Sequence, residues 1–189
     1  MIYSFGCMGG SFAEVLRGEK KPEDIEAADP AELGEMCDKN IKVCLVGSSG
    51  GHLNHLYMLK PFWEDKDRFW ATFDKEDSRS LLKGEKIYPV YFPSNRSVKA
   101  LVINTFRAIK ILRKEKPDVI ISAGAAPAVP FFYIGKLMRK KLIYIEPFDR
   151  VHTRSLTGRL CYRKADVFIV QWEQMKEVYP KAVCLGSIF

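Results

Sequence analysis

The chain has 189 residues, of which 47% are hydrophobic, and a formal net charge of +7. This length and apolar content suit one domain of ordinary size with its own buried core. The charge is uneven: residues 1–40 hold four basic and nine acidic side chains, a net of −5, whereas residues 41–189 hold 26 and 14, a net of +12. A body this basic predicts an anionic partner such as nucleic acid, an anionic membrane surface or a phosphorylated substrate.

Cysteine content and hydropathy indicate the cellular compartment and the type of membrane contact to expect. The five cysteines are odd in number and include no CxxC pair, which is typical of reduced cytosolic thiols and not of a disulfide framework or a zinc site. The N-terminus has no basic segment followed by an apolar one, so we expect no signal peptide. The run Ala125–Met138 is too short to span a bilayer and is interrupted by proline, glycine and lysine. Membrane contact is therefore expected to be peripheral.

The first 40 residues are predicted to be an acidic N-terminal extension, flexible or loosely docked. Within it, Lys20–Asp38 carries two short helical patterns that begin at Pro22 and Pro30. Its apolar side chains, such as Ile25 and Leu33, are too few for a separate core. Residues 41–189 are predicted to form the folded domain.

From Ile41 onward, short runs rich in β-branched and aromatic residues alternate with helical patterns. The predicted strands are Ile41–Val46, Arg68–Phe73, Lys86–Phe92, Asp118–Ser122, Lys141–Glu146, Asp166–Val170 and Ala182–Leu185. The predicted helices are His52–Phe62, Glu76–Lys83, Ser97–Glu115 and an apolar helix that ends near Lys140; residues 148–164 are predicted as a polar connection. Pro89 bends the third strand or places it towards a sheet edge. The alternation predicts an α/β fold with a doubly wound parallel sheet and ligands at the carboxyl ends of its strands.

A glycine-rich turn follows the first predicted strand. The stretch Ile41–His52 has the sequence I-K-V-C-L-V-G-S-S-G-G-H. Gly47, Gly50 and Gly51 allow positive φ and a close approach of the backbone to a ligand. The next helix directs its N-terminal N–H groups and the positive end of its dipole over the turn, which suits phosphate or pyrophosphate. A tight strand-to-helix turn without any ligand is the alternative that this motif alone leaves open.

The loops after the other strands should lie on the same edge of the sheet as this turn. They contain Asp74, Ser94–Arg96, Ser122–Pro127 and Glu146–Arg150. His52, at a helix N-terminus that favours the neutral imidazole, is a candidate general base, with a structural, hydrogen-bonded histidine as the alternative. Glu146 ends an apolar strand, where a perturbed carboxylate marks a candidate site. An N-cap, or an ion pair with Arg150 or Arg154, is the competing explanation.

Several familiar motifs do not occur in the sequence. The turn lacks the G-K-[ST] of a P-loop and the spacing of G-x-G-x-x-G. Asp74 lies at the position of a ribose-binding acid and is the residue that most favours a dinucleotide-binding enzyme. His52 and His55 lie one helical turn apart, but no third ligand accompanies them, and we expect no metal site. No Ser-His-Asp or Cys-His arrangement and no nucleic-acid-binding signature is found.

The longest helical pattern, residues 97–116, has an apolar stripe and a basic side. The stripe predicted to pack on the sheet comprises Val98, Leu101, Val102, Ile109 and Leu112, with Ser97 as the N-cap. The basic side comprises Lys99, Arg107, Lys110 and Lys114, around Ile103 and near Ile111. Two interpretations remain open: a solvated surface helix, or a helix on anionic lipid with the two isoleucines inserted.

Five segments carry a family resemblance by their order and spacing. They are V-G-S-S-G-G-H (46–52), S-A-G-A-A-P-A-V-P (122–130), Y-I-E-P-F-D-R-V (144–151), S-L-T-G-R-L-C-Y-R-K-A-D-V-F-I-V-Q-W (155–172) and Y-P-K-A-V-C-L-G (179–186). Because of these segments, residues 41–189 resemble the acceptor-binding subunit of two-subunit GT-B glycosyltransferases. This family includes bacterial PssD/CpsF-type proteins of exopolysaccharide and capsule synthesis and the eukaryotic membrane-anchoring subunit of the dolichol-pathway N-acetylglucosaminyltransferase. The N-terminal half of MurG is more distantly similar.

The resemblance implies a Rossmann-like domain that forms the N-terminal, acceptor half of a GT-B enzyme. It implies transfer of a sugar from a UDP-sugar to a polyprenyl-pyrophosphate-linked saccharide, in a heterodimer whose partner subunit binds the donor. Neither a metal nor another cofactor is expected, and no nucleic acid. The expected location is the cytoplasmic face of a membrane, with peripheral contact through the basic helix 97–116. A stand-alone nucleotide- or dinucleotide-binding Rossmann enzyme is the alternative.

The resemblance also implies roles for individual residues. His52 or Glu146 would take the proton from the attacking sugar hydroxyl in an inverting transfer. The residues that would cradle the lipid pyrophosphate or line the cleft are Gly47, Ser48, Ser49, Gly50, Gly51, Ala123, Gly124, Ala125, Pro127, Arg150 and Arg154. Gln171 and Trp172, together with the last strand, would face the partner.

Overall fold

The computed structural model describes residues 40–93 and 97–186. The predicted N-terminal extension, apart from Asn40, lies outside the described residues, and so does the predicted site loop Ser94–Arg96. The domain boundary near residue 40 therefore stays a prediction.

Seven strands alternate with six α-helices and one 3-10 helix in the described part of the chain. The strands are β1 (Lys42–Val46), β2 (Asp67–Thr72), β3 (Ile87–Pro89), β4 (Val119–Ser122), β5 (Lys141–Ile145), β6 (Val167–Val170) and β7 (Val183–Cys184). The helices are α1 (Gly51–Met58), α2 (Lys60–Trp63), α3 (Glu76–Leu81), α4 (Val98–Glu115), α5 (Ala128–Leu137) and α6 (Leu156–Cys161), and the 3-10 helix is Glu173–Glu177. Each predicted strand is present, whereas α6 lies in the stretch predicted as a polar connection.

The strands form one parallel sheet in the order β3-β2-β1-β4-β5-β6-β7. The predicted doubly wound parallel sheet is therefore confirmed, and Pro89 lies in the edge strand β3, as expected. From β1 the chain continues to β2 and β3, which extend the sheet on one side of β1, and then returns to β4, which lies next to β1 on its other side. The gap between the carboxyl ends of β1 and β4 is thus the topological switch point, where ligands of such sheets bind.

Alternate side chains of the strands form two apolar cores, one on each face of the sheet. In β1, Val43 and Leu45 belong to the first core, and Cys44 and Val46 belong to the second. The helices α1 and α2 cover the first face, and α4, α5 and α6 supply side chains to the second. Since α4 packs against α5 and α5 against α6, these three helices form one continuous outer layer.

The helix α4 turns a different side to the sheet from the one predicted. Ser97 is its N-cap, as predicted, because its Oγ accepts a hydrogen bond from the N–H of Ala100 at 3.2 Å. The predicted stripe is wrong in the first turns, where Val98, Leu101 and Val102 are 76%, 44% and 49% exposed. The buried side comprises Ala100, Asn104, Ala108, Ile111, Leu112 and Glu115.

Two polar residues on this buried side are satisfied by neighbours that the helical pattern does not reveal. Asn104 pairs with the backbone of Tyr91, whose N–H donates to Oδ1 at 2.7 Å and whose carbonyl accepts from Nδ2 at 3.2 Å. Glu115 lies 2.8 Å from the Nζ atoms of Lys42 and Lys86. Burial alone would raise the pKa of Glu115, but hydrogen bonds led by those from Lys42 and Lys86 lower it to about 2. A helix face with polar residues can be buried when those residues have such partners, so hydrophobicity alone predicts the wrong buried face of α4.

The outer surface of α4 is consequently more apolar than predicted. Ile111 is buried, so the interpretation in which it inserts into lipid is wrong for this residue. The exposed apolar side chains are instead Val98, Leu101, Val102 and Phe106. Within the described residues, no helix combines the length and the hydropathy required to cross a bilayer.

Candidate active site

A cavity of about 710 Å³ lies at the carboxyl end of the sheet. It is lined by Ser48, His52, Phe73, Phe92, Pro93, Ala125, Ala126, Pro147, Asp149, Arg150, Arg154, Ser155, Leu156, Thr157 and Arg159. These residues belong mainly to the loops after β1, β2, β4 and β5 and to α6, so the cavity lies beside the switch point. The predicted site residues that line it are Ser48, His52, Ala125, Arg150 and Arg154.

His52, in the first turn of α1, is fixed by the loop that follows β4. Its Nδ1 lies 2.8 Å from the carbonyl oxygen of Ala123. Because a carbonyl only accepts, Nδ1 carries the proton in this hydrogen bond, which leaves Nε2 of the neutral ring as a proton acceptor. The cavity therefore contains an oriented imidazole with one nitrogen able to act as a base.

Gly124 permits the close approach of this loop to His52. Its φ is +107°, and a Cβ at this position would lie 3.0 Å from Cε1 of His52 and 3.1 Å from Cγ of Pro147. Both the backbone conformation and the available space thus favour glycine. Ala123 and Pro127 of the same loop are buried. Ala123 therefore contributes its carbonyl group, and Pro127 is the N-cap residue of α5.

The glycine-rich turn is partly engaged by a carboxylate of the protein itself. Gly50 has a φ of 76°, and its N–H donates to Oδ2 of Asp77 at 3.0 Å. Gly50 and Gly51 are exposed, and a Cβ at either position would meet no atom within 4 Å. Ser48 is the residue of this turn that lines the cavity. The cavity lining does not include the other predicted binding residues of the turn, Gly47, Ser49, Gly50 and Gly51, and Gly47 is buried.

Three arginines make the cavity cationic. Arg150, Arg154 and Arg159 line it together with one carboxylate, that of Asp149. Nε of Arg150 lies 3.5 Å from Oδ2 of Asp149, which is a loose ion pair. The guanidinium of Arg154 lies 5.3 Å from the centroid of the Tyr179 ring. Since guanidinium groups bind phosphate oxygens through forked hydrogen bonds, the cavity is suited to an anionic, phosphate-bearing ligand.

Glu146 is buried and is not among the residues that line the cavity. Its side chain is 1% exposed. The carboxylate accepts hydrogen bonds from the N–H and Oγ of Ser155 at 2.7 and 3.1 Å, and from the hydroxyl of Tyr179 at 3.4 Å. Burial raises the pKa of Glu146, and the hydrogen bonds from Ser155 offset part of this increase. Glu146 thus secures Ser155, the N-cap residue of α6, and is not itself the N-cap that the sequence left open as an alternative.

Sequence reasoning does not identify Gly158 and Tyr179, which complete this cluster around Glu146. A Cβ on Gly158 would lie 2.2 Å from Oε2 of Glu146 and 2.6 Å from the Tyr179 hydroxyl. Ser155 also caps α6, because its Oγ accepts a hydrogen bond from the N–H of Gly158 at 2.8 Å. The helix can approach Glu146 this closely only with glycine at position 158. The available sequence signal is the L-T-G-R-L segment, in which a glycine interrupts a helical pattern.

The structure corrects the prediction that Gln171 faces a partner. Its side chain is 4% exposed and donates from Nε2 to the carbonyl oxygen of Glu146 at 3.0 Å. Trp172 donates from Nε1 to the carbonyl oxygen of Phe148 at 2.8 Å, and the two rings lie 5.0 Å apart. Both residues therefore hold the loop after β5 in place, with Trp172 partly exposed.

Two further candidate residues lie outside the cavity lining. Asp74 forms a two-point ion pair with Arg79, at 2.6 and 2.8 Å, so its carboxylate is engaged by the protein. His55 is buried in α1, and burial lowers its pKa to about 4, which keeps the ring neutral at neutral pH. Among residues 40–93 and 97–186, no three His, Cys, Asp or Glu side chains are grouped as a metal site requires.

Sequence comparison identifies relatives that carry one name. The profile of the family described as "Oligosaccharide biosynthesis protein Alg14 like" matches residues 88–188. The mouse and human proteins named "UDP-N-acetylglucosamine transferase subunit ALG14" are each 29% identical, and the alignments cover 79% of this chain and 84% of theirs. The Yarrowia lipolytica protein of the same name is 36% identical over 75% of this chain and 65% of its own length.

Solved structures share the fold at low sequence identity. MurG from Acinetobacter baumannii aligns with a TM-score of 0.59 and 17% identity over 71% of this chain. A UDP-N-acetylglucosamine 2-epimerase from Rickettsia bellii aligns with a TM-score of 0.61 and 14% identity over 75% of this chain. The chain spans 42% and 41% of these two structures, less than half of either. The predicted Rossmann-like fold is thereby confirmed.

Proposed function

This chain belongs to the family of Alg14-like oligosaccharide biosynthesis proteins, and on that premise we propose that it is the acceptor-binding subunit of a two-subunit glycosyltransferase. The acceptor is a polyprenyl-diphosphate-linked saccharide, and a partner subunit binds the sugar nucleotide. The name shared by the relatives supports UDP-N-acetylglucosamine as the donor. The transfer serves the synthesis of a lipid-linked oligosaccharide.

The cationic cavity at the switch point carries this proposal. Arg150, Arg154 and Arg159 supply three guanidinium groups to its wall. The N-terminus of α1 adds a positive dipole end on the side of Ser48. A diphosphate is the part of the acceptor that such an environment stabilises, because its charge is concentrated on oxygens that accept forked hydrogen bonds. The sugar beyond the diphosphate then lies near His52.

His52 is the proposed general base. The attacking hydroxyl of the acceptor sugar gives its proton to Nε2 as its oxygen bonds to the anomeric carbon of the donor. The bond from that carbon to the UDP oxygen breaks on the opposite side, which inverts the configuration and releases UDP. The imidazolium that forms is stabilised by the hydrogen bond from Nδ1 to Ala123, at 2.8 Å. As proposed, the proton transfer requires no metal, and the UDP is held mainly by the partner.

Glu146 is proposed to position the site and not to transfer a proton. Its carboxylate secures Ser155, and its carbonyl oxygen accepts from Gln171. These contacts anchor both ends of the loop that carries Arg150 and Arg154. The residue therefore acts on catalysis through the placement of the two arginines.

Replacing Arg150 or Arg154 by alanine is expected to raise the KM for the lipid-diphosphate acceptor about tenfold or more, because each substitution removes a charge-assisted phosphate contact. The KM for the UDP-sugar should change little, since the donor is held by the partner. The measurement is steady-state kinetics of the pair formed with the donor-binding subunit, with acceptor and donor varied separately.

Arg163 provides the matched control for these substitutions. It is exposed in the segment after α6 and does not line the cavity. Arg163→Ala removes the same charge and should leave the acceptor KM within about twofold of the original value. An unchanged acceptor KM in both cavity variants, or an equal rise in Arg163→Ala, would contradict the assignment of the diphosphate to this cavity.

We further propose that α4 contacts the cytoplasmic face of an anionic membrane. Val102 and Phe106 are exposed on α4, and Lys99 and Lys110 are exposed near them by helical spacing. Apolar side chains that enter the interface, flanked by lysines that reach the headgroups, are typical of peripheral helices. The proposal retains the basic helix that the sequence predicted as the membrane contact. The residues proposed to enter the membrane are now Val102 and Phe106, which are exposed, and no longer Ile111, which is buried.

The double variant Lys99→Glu/Lys110→Glu is expected to reduce binding to phosphatidylglycerol-containing vesicles about tenfold or more, because each lysine near an anionic surface contributes about 1 kcal/mol. Co-sedimentation with these vesicles and with pure phosphatidylcholine vesicles measures the effect. Lys60→Glu/Lys83→Glu changes the charge equally at exposed positions on α2 and after α3. Equal loss in this control, or undiminished binding of the α4 variant, would refute contact through α4.

A further inference from the structure

We propose that an apolar groove beside the cavity binds the first isoprene units of the acceptor lipid, so that the diphosphate and its lipid chain occupy two connected subsites. The groove has a volume of about 290 Å³ and lies between the start of α4, the start of α5 and α6. Its apolar walls include Val98, Leu101, Val129, Leu156 and Leu160. This inference rests on the proposed function, because it extends the same acceptor site.

Two of the three polar residues that line the groove, Ser97 and Asn104, use their side chains within the protein, and the third, Thr157, lies where the groove meets the cavity. Asn104 is 1% exposed, and its amide is paired on both sides with the backbone of Tyr91. Ser97 uses its Oγ to cap α4 through the N–H of Ala100. A ligand in the groove therefore meets mainly methyl and methylene groups, which suits a hydrocarbon chain.

The groove is continuous with the cationic cavity. Ala126, Leu156 and Thr157 belong to the walls of both. A molecule that occupies the two subsites must therefore carry a compact anionic group joined directly to an apolar chain. An isoprenoid diphosphate has this chemistry, since its phosphate is bonded to the first isoprene unit.

The connection to the arginines favours a lipid chain over a helix from another protein. Ala126, Leu156 and Thr157 line both subsites, so an occupant of the groove can be joined directly to an anionic group in the cavity. A single hydrocarbon chain bonded to a diphosphate has this form, and its far end can leave the groove along the outer layer of α4 and α5.

The length dependence of isoprenoid diphosphate binding tests this inference. Inorganic pyrophosphate, geranyl diphosphate and farnesyl diphosphate are titrated into the full chain by calorimetry. We expect farnesyl diphosphate to bind at least about tenfold more tightly than pyrophosphate, because the chain removes apolar surface from water. In Leu101→Ser/Leu160→Ser this gain should fall to about twofold or less, with pyrophosphate binding unchanged.

Met58→Ser is the matched control, because Met58 and Leu160 are both 41% exposed and Met58 lies on α1, away from the groove. It should keep the full gain. Thermal melting checks that each variant is folded, and Val98→Ser, at an exposed position in the first turn of α4, provides a milder second variant.

The possible outcomes separate the groove from the proposed function. If pyrophosphate binds and farnesyl diphosphate binds no more tightly, or if the gain survives in the groove variants, the lipid subsite is refuted while the cationic cavity stands. If neither ligand binds, both the subsite and the assignment of the diphosphate to the cavity are refuted. A length-dependent gain that the groove variants lose and Met58→Ser keeps supports the subsite.

Discussion

Replacing His52 by alanine is expected to lower kcat of the reconstituted glycosyltransferase by about 10²- to 10³-fold, the usual contribution of a general base. The acceptor KM should change little, because the imidazole does not form part of the arginine cluster that holds the diphosphate. Glu146→Gln is expected to retain kcat within about threefold. A glutamine amide can still accept from the N–H of Ser155 and donate to its Oγ, so the placement of α6 is preserved.

Glu146→Ala gives the second half of this comparison. It removes the acceptor for the N–H of Ser155, so we expect a lower thermal stability and a raised acceptor KM through displacement of Arg154. Measured kcat and KM for the three variants distinguish a base from a positioning residue. A near-normal kcat in His52→Ala, or a loss in Glu146→Gln as large as that in His52→Ala, would contradict the roles assigned here.

Gly158→Ala is expected to destabilise the fold by about 2–4 kcal/mol in the free energy of unfolding. The added methyl group would lie 2.2 Å from Oε2 of Glu146, 2.6 Å from the Tyr179 hydroxyl and 2.8 Å from Oγ of Ser155. Three buried polar groups would have to move together, which outweighs the helix-propensity gain of about 1 kcal/mol from glycine to alanine. Urea denaturation of the full chain measures the change.

Gly51→Ala is the matched control for Gly158→Ala. Gly51 opens α1, and a Cβ at this position would meet no atom within 4 Å. It should be neutral or stabilise by up to about 1 kcal/mol. In addition, Glu146→Ala should recover part of the loss in Gly158→Ala, because it removes the nearest obstructing atom. A Gly158→Ala protein as stable as the original would show that α6 does not require glycine.

Most strands were predictable because they are short, mainly buried runs rich in β-branched or aromatic residues. The alternation with helices then determined a parallel sheet, and a parallel sheet places the loops after its strands on one edge. This chain of inference placed His52 and Arg150 at one edge of the sheet, the family resemblance added Arg154, and the three residues line one cavity. None of these steps depends on how side chains pack.

The errors concern buried polar and small residues, whose partners are distant in sequence. Asn104 and Glu115 were not expected in the buried side of α4, because their partners lie in the segments around Tyr91, Lys42 and Lys86. Gln171 was expected from the family resemblance to face a partner, yet its amide donates to the carbonyl oxygen of Glu146. These hydrogen bonds and ion pairs form only when the sheet has assembled, so the periodicity of a single sequence does not predict them.

The role of Glu146 was left open by the sequence for the same reason. A glutamate at the end of the apolar strand β5 is unusual, but the residue type alone does not distinguish a general base from a structural carboxylate. The close packing of α6 around Glu146 supports the proposed positioning role, and a Cβ at Gly158 would obstruct that packing. Tyr179, which contributes to this cluster, is separated from Glu146 by 33 positions.

The central claim is that this chain supplies the acceptor half of a glycosyltransferase whose donor site belongs to another subunit. It is tested most directly by transfer of N-acetylglucosamine from the UDP-sugar to a polyprenyl-diphosphate-linked acceptor, with the purified chain alone and with the donor-binding subunit added. We expect no turnover by the chain alone, turnover by the pair, and its loss in the pair that carries His52→Ala. Full turnover by the purified chain alone would contradict the claim.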